Sequence, residues 1–416
     1  MLNRIISYKV SKVMNTIQEV SVDILNHKEI YSNMPQSDLV DYRVFSRLLD
    51  DDKVVASYKM YWLLGILDEV ALGNTEIELK KIISRMIVYS WYPILQYKLN
   101  YGIFDNLKKP VNYIAIKYNL PNNYDENKLL DFIYSNDDKE LNKMMKELTY
   151  NVPYRLLSPF FTDKLKGQKD SIKNKMITEL SLESENCLYK IVKGEKDKII
   201  LNDGWKDYLQ KNYKVIKGWI YYKIVCFLQK RNPNVPAIAF KIEAPKSRNL
   251  TRATTLWKEI IISKNINDIY TGMNFTKENY DKLGGLSIDH FIPWSFVLHD
   301  EMWNLTPTFK NINSSKSDNL PSYQEYIDKF CSVQYEAFSY LCDKKKEKDL
   351  ECYIDVMRLE NPFEFLKYKS REEFNDKLKQ TISPIYQIAL NQGFEVLNKV
   401  YKRLEEIGEE ASRLDN

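Results

Sequence analysis

The stretch LSIDHFIPWSF, Leu286 to Phe296, holds one of only three histidines in a chain of 416 residues and sets it directly after an aspartate. Successive strand residues face opposite sides of a sheet, so Asp289 and His290 serve one site only where a strand ends and the backbone turns. Pro293 is consistent with such an ending, because proline cannot continue a hydrogen-bonded ladder. Upstream, NDIYTGMNFTKENYDKLGGLSIDH predicts one short strand over Asp268–Met273 and, after Gly284 and Gly285, a second over Leu286–Asp289. A small hairpin would then deliver the pair to its edge.

Downstream comes WNLTPTFKNINSSKSDNLP, Trp303 to Pro321. Thr306 followed by Pro307 predicts a helix start, a capping residue before a first-turn proline. Within that helix Asn313 and Lys316 are three apart and share a face. Asn and Ser are poor helix formers, so packing or function must hold this segment. Two strands and a short helix would thus gather Asp289, His290, Asn304, Asn313 and Lys316.

In these residues the chain resembles the HNH nuclease family, whose site is a ββα-metal finger, and most nearly the HNH domain of RNA-guided CRISPR effectors. The shared pattern is Asp289, His290, Pro293, Ser295 and Phe296, then Asn304, then Asn313, Lys316, Ser317, Asp318, Asn319 and Pro321. The intervals of fourteen residues from His290 to Asn304 and nine from Asn304 to Asn313 also fit. The resemblance spans about residues 265–325. Nothing elsewhere resembles a guide-binding lobe or a second nuclease, so guidance by RNA is not implied.

The resemblance implies roles by position. His290 would be the general base, a task suited to an imidazole, which titrates near neutrality. Asp289 and Asn313 would hold one divalent ion through hard oxygen donors, Mg²⁺ or alternatively Mn²⁺. Asn304 would tie down the loop after the strand and so orient His290. Lys316 would place a point charge near a phosphate. Where many relatives end the motif in histidine, Asn313 stands here, which shifts preference away from zinc and nickel. Cys-x-x-Cys structural zinc sites are common in the family; IYTG, Ile269–Gly272, replaces the first pair, so no structural zinc is expected and apolar packing must hold the finger. His299 falls outside the pattern and reads as surface or structural, and His27 as background.

Composition sets the frame. The chain is 44% hydrophobic with 30 tyrosines, enough for a sizeable core, and 12 glycines and 14 prolines favour helices over a β-sandwich. A net charge of +4, from 61 basic and 57 acidic residues, neither announces nor excludes nucleic acid, so any such surface must be local. One local cluster lies ahead of the motif: Lys241, Lys246, Arg248, Arg252 and Lys258 are opposed there only by Glu243 and Glu259. It predicts phosphate contacts, from Arg248 and Arg252 above all, alongside the plainer reading of a solvated linker. Five cysteines without a Cys-x-x-Cys pair indicate reduced thiols, and the absence of an apolar span or leader indicates a soluble, cytoplasmic protein.

The expected fold is mainly α: a helical N-terminal region with a small β-hairpin, followed by a ββα-metal HNH finger embedded in helices. Residues 1–240 would form a mostly helical targeting or regulatory domain with the hairpin near 187–202, and residues 241–416 the HNH domain with C-terminal helices. Val54–Gly73 and Glu76–Gly102 predict two long helices, the second preceded by the capping pair Asn74-Thr75 and ended or kinked near Pro93. Trp62 and Trp91 belong to their core. Asn202 or Asp203 would cap the helix that runs to Arg231, and the C-terminal helices would break near Pro362 and Pro384. Walker A and Rossmann patterns are missing. The function expected is a DNA endonuclease of the kind found in bacterial defence and mobile elements, with a homodimer or partner protein engaged through the N-terminal region. Its alternatives are a catalytically silent nucleic-acid-binding scaffold and an RNA-cleaving enzyme.

Overall fold

The computed structural model describes residues 34–50, 55–243, 248–398 and 400. Most of the predicted N-terminal helical segment, His27, the acidic break at 51–54, Lys246 and the closing residues 401–416 lie outside the described part. The chain is mainly α and divides into two compact units, drawn from Met1–Leu95 with Asn100–Arg231 and from Gln96–Leu99 with Asn232–Asn416. Among the described residues no helix is long and apolar enough to cross a membrane, and the five cysteines are free.

The first unit is built on α1 (Tyr58–Ala71) and α2 (Leu79–Leu95), which pack against each other and bury Trp62 and Trp91 completely. Glu76–Glu78 does not begin a helix; it is strand β1, drawn into pairing with β3 (Lys198–Leu201). The hairpin of β2 (Tyr189–Val192) with β3 stands where expected, so the sheet order is β1-β3-β2. Pro93 lies inside α2, two residues before its end. The helix after the hairpin is not capped by Asn202 or Asp203: Gly204, at φ +80°, precedes α3 (Trp205–Lys211), and Asn202 instead donates its amide to the carbonyls of Ser184 and Cys187. Only glycine takes that left-handed backbone cheaply. A second helix, α4 (Tyr213–Arg231), completes the run.

In the second unit, α5 (Thr251–Lys264) and α6 (Lys277–Leu283) precede the finger. Asp268–Met273 is not a strand. The Asp268 carboxylate accepts from the N–H and hydroxyl of Thr271, and Gly272 N–H returns to Asp268 O, which closes a turn flanked by the single bridge Asn267–Asn274. The hairpin is instead β4 (Leu286–His290) with β5 (Leu305–Phe309), so Thr306 and Pro307 start no helix. Bonds from Phe291 N to Asn304 O and from Lys310 N to Gly285 O set the alternation of the ladder, in which Ile288 and Pro307 fall at a non-hydrogen-bonded pair. The missing proline N–H therefore costs the ladder nothing.

The finger's helix, α7 (Lys310–Lys316), follows β5 at once. Behind it run α8 (Tyr323–Asp343), α9 (Glu347–Met357) and α10 (Arg371–Asn391), with α8 packed against both others and against β5. Pro384 does not break α10; it lies on an exposed face, where releasing the carbonyl four residues back is tolerated. Phe291 stacks on Phe330 of α8 with ring centroids 4.3 Å apart, and Phe338, Tyr353 and Phe374 extend that core. Burying each ring stabilises by about 2 kcal/mol.

Candidate active site

Alternation along β4 puts Ser287 and Asp289 on one face, opposite Thr308 and Thr306 respectively. Both oxygens of Asp289 are engaged: Oδ1 accepts from Lys316 Nζ at 3.0 Å and Oδ2 from the Tyr270 hydroxyl at 2.5 Å. Burial first, then the neighbouring Asp289 charge, holds the Tyr270 phenol far above its ordinary pKa, so it stays a donor. His290 ends the strand and turns aside, its Nε2 2.8 Å from Asp300 Oδ1, while Nδ1 bonds to no described residue.

Asn304 is fully buried and pairs with Ile292 as a backbone residue would, accepting from its N–H at 2.8 Å and donating to its carbonyl at 2.9 Å. With the Phe291–Asn304 backbone bond, these close the base of the loop that carries Asp300. Two such bonds contribute roughly 2 kcal/mol net.

Helix α7 lies along the free edge of β4. Carbonyls at non-hydrogen-bonded positions point away from the partner strand. Asn313 Nδ2 meets that of Ile288 at 3.3 Å and the Ser287 hydroxyl at 2.8 Å, and Lys316 Nζ meets that of His290 at 2.8 Å. The short helix of poor formers is thus held by side-chain bonds to the strand beside it. On the other edge, Gln334 of α8 donates to Leu305 O at 2.5 Å and accepts from Tyr353. At the entrance to β4, Gly284 has φ +85°, and a Cβ there would press on Lys310 and Asn311 at 3.1 Å.

The expected site residues are therefore not equivalent. Lys316 bonds Asp289 and the His290 carbonyl, and Asn313 bonds Ser287 and Ile288 beside them, whereas the His290 imidazole turns to Asp300 and the Asn304 amide to Ile292. The Lys316 ammonium does not project to the surface: it is buried between Asp289 and the His290 carbonyl. Arg248 stacks on Trp294, 4.6 Å from the ring centroid, and Arg252 pairs with Asp349 at 2.5 Å. Lys241, from the same basic cluster, is buried, donates to Phe296 O, and is pulled by desolvation to a pKa of about 7. Tyr270 and Asp300 escaped the sequence reading. Tyr270 sits in the IYTG turn with no mark of its purpose, and Asp300 belongs to a loop whose path no periodicity reveals.

Asp300 borders a cleft of about 650 Å³ walled by Arg252, Trp303 and Asp349 among others. His299 turns inward against Trp303, ring centroids 5.1 Å apart, and burial lowers its pKa to about 4. Its Nδ1, Asp268 Oδ1 and the hydroxyls of Thr306 and Thr308 are buried without a protein partner.

A divalent cation fits the donor set. The fit is limited to two donors: Asp289, whose oxygens Lys316 and Tyr270 now occupy and would have to release, and Asn313 Oδ1, which accepts from no described residue. Among the described residues no group of three or more His, Cys, Asp or Glu side chains gathers to hold a metal. A carboxylate with an amide oxygen suits a hard ion.

The family model of HNH endonucleases matches residues 268–322, which run from the Asp268 turn through β4, β5 and α7. No curated protein and no solved structure matches the chain. HNH nucleases generally use a divalent metal and act on nucleic acid. Residues 268–322 are thus similar to HNH endonucleases, as one segment of a longer, mostly helical chain.

Proposed function

We propose that the chain is a metal-dependent nuclease that hydrolyses phosphodiester bonds of DNA. The observation that supports this reading is that Asp289, Lys316 and Asn313 gather where β4 meets α7, with His290 as the last residue of that strand, within the matched segment. Asp289 and Asn313 would hold one Mg²⁺ or Mn²⁺, which when bound polarises the scissile phosphate and offsets charge on the leaving oxygen.

His290 takes a proton from water as the water oxygen bonds to phosphorus. The P–O3′ bond breaks with its electron pair on the 3′ oxygen, which is protonated from solvent, leaving 5′-phosphate and 3′-hydroxyl ends. Asn304 keeps the loop base closed so that His290 holds its direction. Lys316 balances Asp289, while Arg248 and Arg252 are the cations assigned to phosphate; Arg252 must exchange Asp349 for it. One base and one ion cut one strand per engagement, so a double-strand break needs a second copy or rebinding. Residues 1–240 serve as a targeting or partner-binding region.

The test is conversion of supercoiled plasmid to nicked circles by the full chain with Mg²⁺ or Mn²⁺, run beside an RNA substrate. The expected result is cleavage of DNA that EDTA abolishes and that His290→Ala slows by at least about 100-fold. Equal cleavage by His290→Ala would refute the assignment.

A further inference from the structure

The reading of His290 as base leaves open which ring nitrogen takes the proton and what aims it. We propose that Asp300 is the positioning residue of His290: its carboxylate accepts Nε2–H, so the neutral ring keeps its proton on Nε2 and presents Nδ1 to the attacking water. The inference rests on the nuclease reading for its catalytic consequence and on geometry alone for its structural part.

Nε2 lies 2.8 Å from Asp300 Oδ1, and Nδ1 bonds to no described residue. An ionised carboxylate only accepts, so the shared proton belongs to Nε2. The hydrogen bond from His290 first, with the charge of Arg248, holds the Asp300 carboxyl below the usual carboxylate range against the opposing effect of burial.

The loop around Asp300 is braced. Its base is closed by the two Asn304 bonds to Ile292. Pro293 begins a single helical turn, Trp294–Val297, and Leu298 ends it at φ +57°, ψ +33°. That conformation costs a leucine about 1 kcal/mol, and it reverses the chain after Trp294–Val297. His299 then anchors inward against Trp303, and Asp300, with a third of its side chain exposed, returns toward His290. A strained residue between two anchored ones suits a side chain whose direction matters.

The experiment uses the full chain labelled with ¹⁵N-histidine, where three histidines keep the spectrum simple. Multiple-bond ¹⁵N–¹H correlation reads the tautomer of each neutral ring, and plasmid nicking with Mn²⁺ reads kcat and KM. The wild-type chain is expected to show His290 protonated at Nε2. In Asp300→Ala the ring becomes a mixture of tautomers, and kcat falls by about 100-fold, the effect of a misdirected group, with KM within about twofold. Glu301→Ala, which changes the neighbouring acid of the same loop, should leave both readings as they were.

A wild-type His290 protonated at Nδ1, or an Asp300→Ala enzyme with unchanged tautomer and kcat, would overturn the proposal. A wild-type chain that cuts neither DNA nor RNA, yet shows the Nε2–H tautomer released by Asp300→Ala, would strike the nuclease reading and support the positioning.

Discussion

Lys316 Nζ lies 3.0 Å from Asp289 Oδ1, and both side chains are almost wholly withdrawn from solvent. A lysine thus stands on the carboxylate assigned to the metal. Removing one partner of a buried ion pair strands the other, at a cost of about 3 kcal/mol. Lys316→Met is therefore expected to lower the unfolding midpoint without metal. Adding Mn²⁺ should restore the variant more than it raises the wild type, because the ion meets an unbalanced carboxylate. Thermal unfolding with and without Mn²⁺ checks this, and an equal metal effect in both proteins would contradict it.

Asn304 holds the loop base through both its amide oxygen and nitrogen. Asn304→Ala leaves the Ile292 N–H and carbonyl buried without partners, which should cost about 2–3 kcal/mol. Cleavage is expected to fall as well, with KM little changed, since the loop aims a group and binds no substrate itself. Urea unfolding and steady-state nicking read the two effects.

His299 predicts a pH dependence of stability. Burial lowers its folded pKa from 6.5 to about 4, so between those values the unfolded chain binds a proton that the folded chain excludes. Stability from this group is complete above pH 6.5 and is lost as pH falls toward 4, by about 2 kcal/mol after discounting for partial exposure. His299→Phe, which keeps a ring against Trp303 and removes an unsatisfied nitrogen, should flatten that slope. Melting curves of both proteins across pH 4–7 decide it.

Gln334 couples the finger to α8 by bonding Leu305 O and Tyr353 at once. Gln334→Leu is expected to cost about 2 kcal/mol through the two stranded groups. It should also speed hydrogen exchange along β5 more than within α10, a pattern that uniform destabilisation would not give.

The end of β4 at Asp289 and His290 was legible because its signal is local. An aspartate beside a histidine ahead of a proline needs a strand end, and the resemblance to HNH nucleases singled out Asn304 and Asn313. The rest was hidden by longer-range forces. Thr306-Pro307 obeys the rule for a helix start, yet pairing with Ile288 and Asp289 outweighs it, at a register where proline fits. Asp268–Met273 carries the β-branched and aromatic residues of a strand, but Asp268 bonds Thr271 and closes a turn instead. Glu76–Glu78 reads as the head of a helix until β3 supplies a ladder. Tyr270 and Asp300 reach the site only across space, and no spacing in the chain encodes that approach.

On the outer edges of the β4–β5 hairpin three backbone carbonyls are bonded by side chains, those of Ile288 and His290 by Asn313 and Lys316 and that of Leu305 by Gln334. A foreign strand would have to displace those side chains to pair along either edge. The same side chains that fasten α7 and α8 to the hairpin thereby also hinder the sheet-to-sheet association that threatens small open hairpins.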